Sequence, residues 1–571
     1  MRRALAAAVL LASSLLVAAL TGSTPAQAAD NGVAGGPAQG WSNWSVMQRD
    51  PTEAKVKAQA KALKDSGLLS HGYVYANIDD FWYLNPGTDV DANGRWVADP
   101  ARFPKGMADM AAYVHGLGEK FGLYLTPGIP KAAYDRNTPI EGTSFHARDI
   151  VSDTSRAEQN YRHLGTIMYF IDYAKNPAAA QAYLNSWADQ LAAWGVDYLK
   201  MDGVGSSDKA DVTHWATALN QTGRKIYFGL SNNLGTTDIA TWQASANAWR
   251  ISGDVDCCQP EHQTTWALVS SRFTQAPKWA PYAGHGGWND FDSLQIGGGD
   301  KVGITAEERK SGMTLWAISA APLLIGADLT TLDAGDLALM TNDDVIAVDR
   351  AGIPATPVSQ ATGQQVWQAR NPDGSYTVAL FNLGGSAATV RSDFAAYLGF
   401  TGTAAIRDLW QRRDVGTANG SLSRTVPSHG SFVFRVVPDA GATFVGGPLV
   451  SARSGRCADA PGGRTVNTTR VQVWDCNGGA NQKVGYSASA KTLKVLGKCF
   501  DAHGRATVNG TAVELNDCNG GTNQQWNLGP GGAITGVQSG LCLDVTGAAN
   551  PNGTGLELWA CNGGTNQQWT L

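Results

Sequence analysis

Asp202 directly follows the apolar run at residues 196–201, and Lys200 stands two residues earlier, on the same face of the strand that this run predicts. Asp79 and Asp80 follow the run at 73–78, and Ser231 follows 225–230. Asp254 comes just after 248–251, four residues beyond Arg250. Carboxylates placed this way suit chemistry in which one group attacks or carries charge while a second, with a raised pKa, gives and takes a proton. A lysine beside the first carboxylate adds positive charge that favours its ionised form. Taken singly, an aspartate at a strand end is more often a turn or a helix cap. The case for catalysis therefore rests on whether the fold gathers these residues.

The elements that must position them are legible as alternation. Short apolar runs at 73–78, 121–125, 196–201, 225–230 and 248–251 are separated by Ala- and Leu-rich stretches of helical length, such as 177–194 and 209–220. This is the pattern of a parallel sheet with crossover helices, and over about 250 residues it predicts a (β/α)8 barrel. In a barrel the polar residues that end the strands converge on the C-terminal face, where active sites sit.

The whole chain has 571 residues, with 44 basic and 49 acidic side chains and a net charge of −5, which excludes a polybasic nucleic-acid binder. With 43% hydrophobic and 16% charged residues it can fill sizeable cores, and its length implies two or three domains. The 67 glycines and 19 tryptophans suit surfaces that hold sugars. Met1-Arg2-Arg3, an apolar run at 4–20 and Ala26-Gln27-Ala28 read as a secretory signal over residues 1–28. The expectation is a secreted, extracellular protein with no membrane association after signal cleavage. Export to an oxidising compartment makes the eight cysteines disulfide candidates.

Six cysteines lie beyond residue 450 in a threefold repeat: Cys457 and Cys476, Cys499 and Cys518, Cys542 and Cys561, each pair 19 residues apart. The units end in CNGGANQKV, CNGGTNQQW and CNGGTNQQW. This region resembles the ricin B-type β-trefoil lectin, the family 13 carbohydrate-binding module. The resemblance implies one disulfide per unit and a sugar site in each unit. That site is made of an Asp after the first Cys, an aromatic two residues before the second, and the Asn-Gln of the closing motif. The matching residues are Asp459, Trp474, Asn481 and Gln482 in the first unit and Asp544, Trp559, Asn566 and Gln567 in the third. The second keeps Asp501 and Asn523 but has Asn516 in place of the ring, which removes its stacking platform. The first has Val484 where the others have Trp526 and Trp569. The Gln and Trp side chains of the closing motif read as trefoil core, and Trp474 and Trp559 as sugar platforms.

Six ordered motifs precede the trefoil: YANIDDFW (75–82), RFPKGM (102–107), WGVDYLKMD (194–202), WRISGD (249–254), GGWNDFD (286–292) and APLLIGADL (321–329). Together they resemble glycoside hydrolase family 27, the α-galactosidases and α-N-acetylgalactosaminidases. The resemblance implies a retaining mechanism with Asp202 as nucleophile and Asp254 as acid/base. It further implies a substrate shell of Trp44, Asp79, Asp80, Lys200, Arg250 and Asp292, with Ser231 near the position of a glutamate that contacts O2. It also implies an antiparallel β-domain after the barrel. QQVWQAR, a turn at 371–374 and SYTVALFN read as a hairpin there, and GSFVFRVV as a later strand. The expected organisation is a barrel at 29–350, an antiparallel β-sandwich at 351–438, a Gly-rich linker at 439–448 and a β-trefoil at 449–571.

Phe81 stands where galactosidases of the family carry Cys, and a long segment follows the third strand. The expected activity is hydrolysis of terminal α-galactosyl residues from oligo- or polysaccharides, with isomalto-dextranase or β-L-arabinopyranosidase as alternatives on the same scaffold. A catalytically inactive lectin is the alternative of another class. No His/Cys cluster has metal-ligand spacing and no glycine-rich phosphate loop follows a strand. No metal or cofactor is therefore expected, and His115 and His285 read as solvated or core residues. Cys257 and Cys258 are expected to bond to each other beside Asp254.

Overall fold

The structure, a computed structural model, describes residues 30–155, 157–158, 167–256, 263–439, 442–444, 446–487 and 490–571. The signal segment and the pair Cys257 and Cys258 lie outside the described residues.

Eight parallel strands form the first sheet: β1 (Gln39–Ser42), β2 (Tyr75–Ile78), β3 (Lys120–Leu125), β4 (Tyr198–Met201), β5 (Tyr227–Leu230), β6 (Ala248–Arg250), β7 (Trp288–Asp290) and β8 (Leu323–Ile325). They follow chain order from β1 to β7, and β8 pairs with β1. Just past β7, the Leu294 N–H donates to the Leu324 carbonyl (2.7 Å), which closes the ring. Strands β2 and β5 are buried along their whole length, as parallel strands covered on both faces must be.

Crossover helices carry their own punctuation. The helix Pro177–Trp194 starts with the Asn176 side chain accepting the Ala179 N–H (3.1 Å) and Pro177 in the first turn, and it ends at Gly195 with φ 87°. The helix Ala306–Ile318 opens with a capping box between Thr305 and Glu308. Both face the barrel, and the apolar core they cover continues into the next unit.

That unit is an antiparallel β-sandwich. Its main sheet has six strands and includes the hairpin Gln364–Arg370 and Tyr376–Asn382 and the strand Ser431–Pro438. Ala388–Asp393 pairs with Ser421–Val426 opposite it. One face packs on the barrel, where Phe273 meets Phe381 edge-on (4.8 Å between centroids) and Thr314 hydrogen-bonds Ser431 (2.9 Å). The other face closes over Val378, Phe394, Phe400 and Phe434.

The residues expected as the linker are partly paired. Thr443–Phe444 lies antiparallel to Phe400–Thr401 of the sandwich, and Gly447–Pro448 to the trefoil strand Lys483–Ser487. Nearby, the Arg370 guanidinium faces Tyr376 of the sandwich (5.9 Å) and Tyr486 of the trefoil (4.9 Å).

In the trefoil, disulfides join Cys457 to Cys476, Cys499 to Cys518 and Cys542 to Cys561, with Cα separations of 5.1, 5.2 and 5.1 Å. Trp526 and Trp569 are core, and Val484 is buried at the matching point. Tyr486 occupies the position of Leu528 and Leu571, and its hydroxyl donates to the Trp526 carbonyl (2.8 Å). Tyr486 thus adds a ring to the core two residues beyond Val484.

Candidate active site

All nine barrel residues singled out from the sequence line one pocket at the C-terminal ends of the strands: Trp44, Asp79, Asp80, Lys200, Asp202, Ser231, Arg250, Asp254 and Asp292. Asn77, Tyr124, Tyr198, Asn232, Asp256 and Asp290 join them without having been singled out.

The backbone turns sharply where the strands deliver these groups. Phe81, Asn232 and Asp292, just beyond β2, β5 and β7, have φ values of 72°, 126° and 79°. Such left-handed conformations are costly for residues with a Cβ and cluster at functional sites. At Asp292 the turn is fixed twice. Its Oδ2 accepts the Val255 N–H (2.6 Å) and its own N–H donates to Asp290 Oδ1 (2.8 Å).

One end of the pocket holds the β2 acids. Lys200 Nζ donates to Asp79 Oδ2 (2.6 Å) and stands 5.6 Å from the Tyr124 ring centroid. Burial disfavours the lysine's charge, but Asp79 and Asp202 more than reverse this and hold it protonated. Asp80 accepts the Tyr83 hydroxyl (2.6 Å) and the Phe81 N–H (2.6 Å). Burial, with Asp79 and Asp202 nearby, still pushes its pKa up to about 6. Asp202 extends β4 so that its side chain shares the Lys200 face. Its N–H donates to the Leu125 carbonyl (2.8 Å), and its Oδ1 accepts the Gly203 N–H (2.9 Å).

The other end is organised by Arg250, which is buried. Its guanidinium bridges Asp254 Oδ1 and Asp292 Oδ1, 3.0 Å from each, and lies 3.7 Å from Asp290. Asp292 loses solvation, yet Arg250 holds its carboxyl below the usual range. Asp254 behaves oppositely. Desolvation within the pocket and then the Asp292 charge raise its pKa, against the pull of Arg250, although its side chain is 67% exposed at the mouth. The pocket thus sets Asp254, with its pKa raised, beside Asp292, with its pKa lowered, and a raised carboxyl is what a proton donor requires.

Asp256 is the notable residue missed. It is buried, accepts the Ser45 hydroxyl (3.1 Å), and is pushed up to about 7 by burial and by Asp292 and Asp254. Ser45 in turn accepts from Gln295 Nε2 (3.0 Å). Its two-residue spacing from Asp254 is visible in the sequence, but it becomes informative only with the backbone path beyond β6.

In the trefoil, Trp474 and Trp559 are the large exposed rings, each 41% accessible. Asp459 lies beneath the surface and accepts from Gln472 (3.0 Å), Asn481 (2.6 Å) and Gln482 (3.1 Å). Asp544 accepts from Asn566 and Gln567, both at 2.7 Å. Gln482 and Gln567 are buried and also donate to the carbonyls of Asp475 and Ala560, so they hold the loop. Asn516 spends its amide on Glu514 (3.0 Å) and on the Thr468 N–H (3.0 Å).

Comparison with known proteins agrees with this architecture. The family model described as α-galactosidase A matches residues 45–138 and 165–351. That of the α-galactosidase C-terminal β-sandwich domain matches 361–436, and that of the ricin-type β-trefoil lectin domain 445–569. The chain is 32% identical over 421 residues to α-galactosidase 3 of Arabidopsis thaliana, covering 72% of this chain and 83% of the relative. It is 32% identical over 419 residues to the α-galactosidase of Cyamopsis tetragonoloba, covering 72% and 88%. The solved structure of a family 27 β-L-arabinopyranosidase from Geobacillus stearothermophilus is similar with a TM-score of 0.64 and 30% identity, over 72% of this chain and 98% of that one. A barrel with a carboxylate-lined pocket and these likenesses define the class, a retaining glycoside hydrolase. The chain belongs to glycoside hydrolase family 27, the α-galactosidase family, and carries a ricin-type β-trefoil in addition.

Proposed function

We propose that this chain is a secreted exo-glycosidase that removes terminal α-galactosyl residues from oligo- or polysaccharides, with Asp202 as nucleophile and Asp254 as acid/base. The observation that carries the reading is the pocket itself, which sets Asp202 and Asp254 among Lys200, Arg250 and the paired Asp79 and Asp80. Asp202 attacks the anomeric carbon and displaces the glycosidic oxygen, which takes the proton of Asp254. Asp254, now a carboxylate, then draws a proton from water as that water releases the sugar from Asp202. Lys200 keeps positive charge near the nucleophile. Asp79 and Asp80 accept from the hydroxyls at the nonreducing end, the feature that makes the enzyme cut from chain ends.

The domain organisation belongs to the same reading. A signal at 1–28 directs export, the barrel occupies 29–350 and the sandwich 351–438. A connection at 439–448 leads to the trefoil at 449–571, which holds the polysaccharide on Trp474 and Trp559. Among the described residues no helix is long and apolar enough to cross a membrane.

The β-L-arabinopyranosidase likeness supports a second reading. That sugar has the ring stereochemistry of α-galactose without the exocyclic carbon. Parallel hydrolysis of nitrophenyl α-galactoside, nitrophenyl β-L-arabinopyranoside and dextran decides. The α-galactoside should show the highest kcat/KM. A higher value on either other substrate would replace the sugar assignment, and no turnover on any would leave a lectin.

A further inference from the structure

The three trefoil units repeat one another, so a residue present in one alone stands out. Arg464 and Arg470 of the first unit occupy positions held by Ala506 and Ala512 in the second and by Ala549 and Gly555 in the third. Both arginines line a cleft together with Val466, Gln472, Gly553 and Gly555. The cleft adjoins the Trp474 platform: a Cβ on Gly553 would stand 3.8 Å from the Trp474 ring and 3.8 Å from Gln472 Oε1. Gln472 also donates to Asp459, so the cleft and the sugar site share a wall.

Arg470 is held in place. Its Nη2 donates to Thr546 Oγ1 (3.2 Å), and its guanidinium crosses Gly555, where a Cβ would come within 2.3 Å of Nε. The glycine of the third unit leaves the space that the arginine of the first unit fills.

Charge on the trefoil surface points the same way. Residues 449–571 carry nine Lys and Arg and seven Asp and Glu, although the whole chain is acidic. Five of those acids, Asp459, Asp501, Glu514, Asp544 and Glu557, are buried. The two exposed acids, Asp475 and Asp517, already pair with Arg456 (3.0 Å) and Lys498 (2.5 Å). The surface the trefoil offers to a ligand is therefore basic, and Arg464 and Arg470 line a cleft beside a sugar platform.

We infer that the first trefoil unit binds an anionic polysaccharide, stacking one sugar on Trp474 and pairing the carboxylate or sulfate of a neighbouring sugar with Arg464 and Arg470. The inference rests on the reading of Trp474 as a sugar platform. Guanidinium forks match the planar carboxylate and the sulfate oxygens, which a neutral hydroxyl cannot do as well. The third unit, with Trp559 but neither arginine, takes neutral sugar.

The test measures binding of the full chain to polygalacturonate and to the same polymer fully methyl-esterified, and to dextran sulfate and dextran, at low ionic strength. Arg464→Ala with Arg470→Ala installs residues that the second unit already holds, and binding of the uncharged polymer reports that the fold survives. Lys483→Ala with Lys494→Ala controls for diffuse charge. The wild type should bind the charged member of one pair about tenfold more tightly, a preference that salt weakens. The arginine variant should lose that preference and keep its affinity for the uncharged polymer, and the lysine variant should keep both. The pair that responds tells carboxylate from sulfate. Equal binding of charged and uncharged polymers, or an equal loss in the lysine variant, overturns this inference alone. Unchanged binding by Trp474→Ala overturns the platform reading and this inference with it.

Discussion

Replacing Asp292 by Asn tests how the acidity of Asp254 is set. One guanidinium bridges the two carboxyls at 3.0 Å from each. Unit charges about 6 Å apart interact by roughly 3 kcal/mol at an effective dielectric constant of about 20. The Asp254 side chain is 67% exposed, so solvent screening leaves about half of this. The sign is the same twice over. Removing the Asp292 charge withdraws a repulsion that raises the Asp254 pKa, and it frees Arg250 to act on Asp254 more fully. Asp254 works protonated in the first step, so activity falls as pH rises through its pKa. A lower pKa moves that fall to lower pH. The assay is kcat/KM against pH on a nitrophenyl glycoside with a poor leaving group, comparing the basic limb of Asp292→Asn with that of the wild type. A limb that stays in place or moves to higher pH refutes the account of Asp254, whatever happens to the maximal rate.

Four further outcomes are expected. Asp202→Ala should abolish turnover on every substrate, while Asp254→Ala should keep the first step for aryl glycosides with good leaving groups and yield glycosyl azide on adding azide. Equal loss in both variants without azide product contradicts the assignment. Lys200→Met leaves Asp79 buried without its cation and should lower stability by about 3 kcal/mol, read by denaturant unfolding; a change within experimental error contradicts the pairing. Cys518→Ser opens a bridge between residues 19 apart and should cost the trefoil about 3 kcal/mol while hydrolysis of small aryl glycosides stays unchanged. Trp474→Ala and Trp559→Ala should each weaken polysaccharide binding in affinity electrophoresis, and Asn516→Ala should not; the reverse order would relocate the sugar sites.

The barrel was legible because its strands are short apolar runs with polar ends, and the period of two that sets Lys200 and Asp202 on one face is a property of any strand. The trefoil was legible from repetition. Asp256 and Asp290 were not, for a physical reason. Each lies two residues from an aspartate that had been singled out, and only the backbone path past β6 and β7 decides that both members of each pair enter the pocket. The left-handed turn at Asp292, which belongs to that path, has no counterpart in residue type. Composition marks 439–448 as a connection but cannot show its pairings. Glycine and proline mark flexible segments, yet two-residue strands form where a neighbouring edge offers unpaired backbone groups, and that offer comes from distant residues such as Phe400 and Lys483.

Those two short pairings govern how the enzyme tolerates being shortened. A stop that removes residues 444–571 cuts inside the Thr443–Phe444 strand. It bares the Phe400–Thr401 edge and strips Tyr486 from the Arg370 guanidinium beside Tyr376. An open strand edge is a template for self-association. A trefoil-free enzyme cut there should retain its pocket yet precipitate at concentrations the whole chain withstands, and a cut placed after Pro448 should stay dissolved longer.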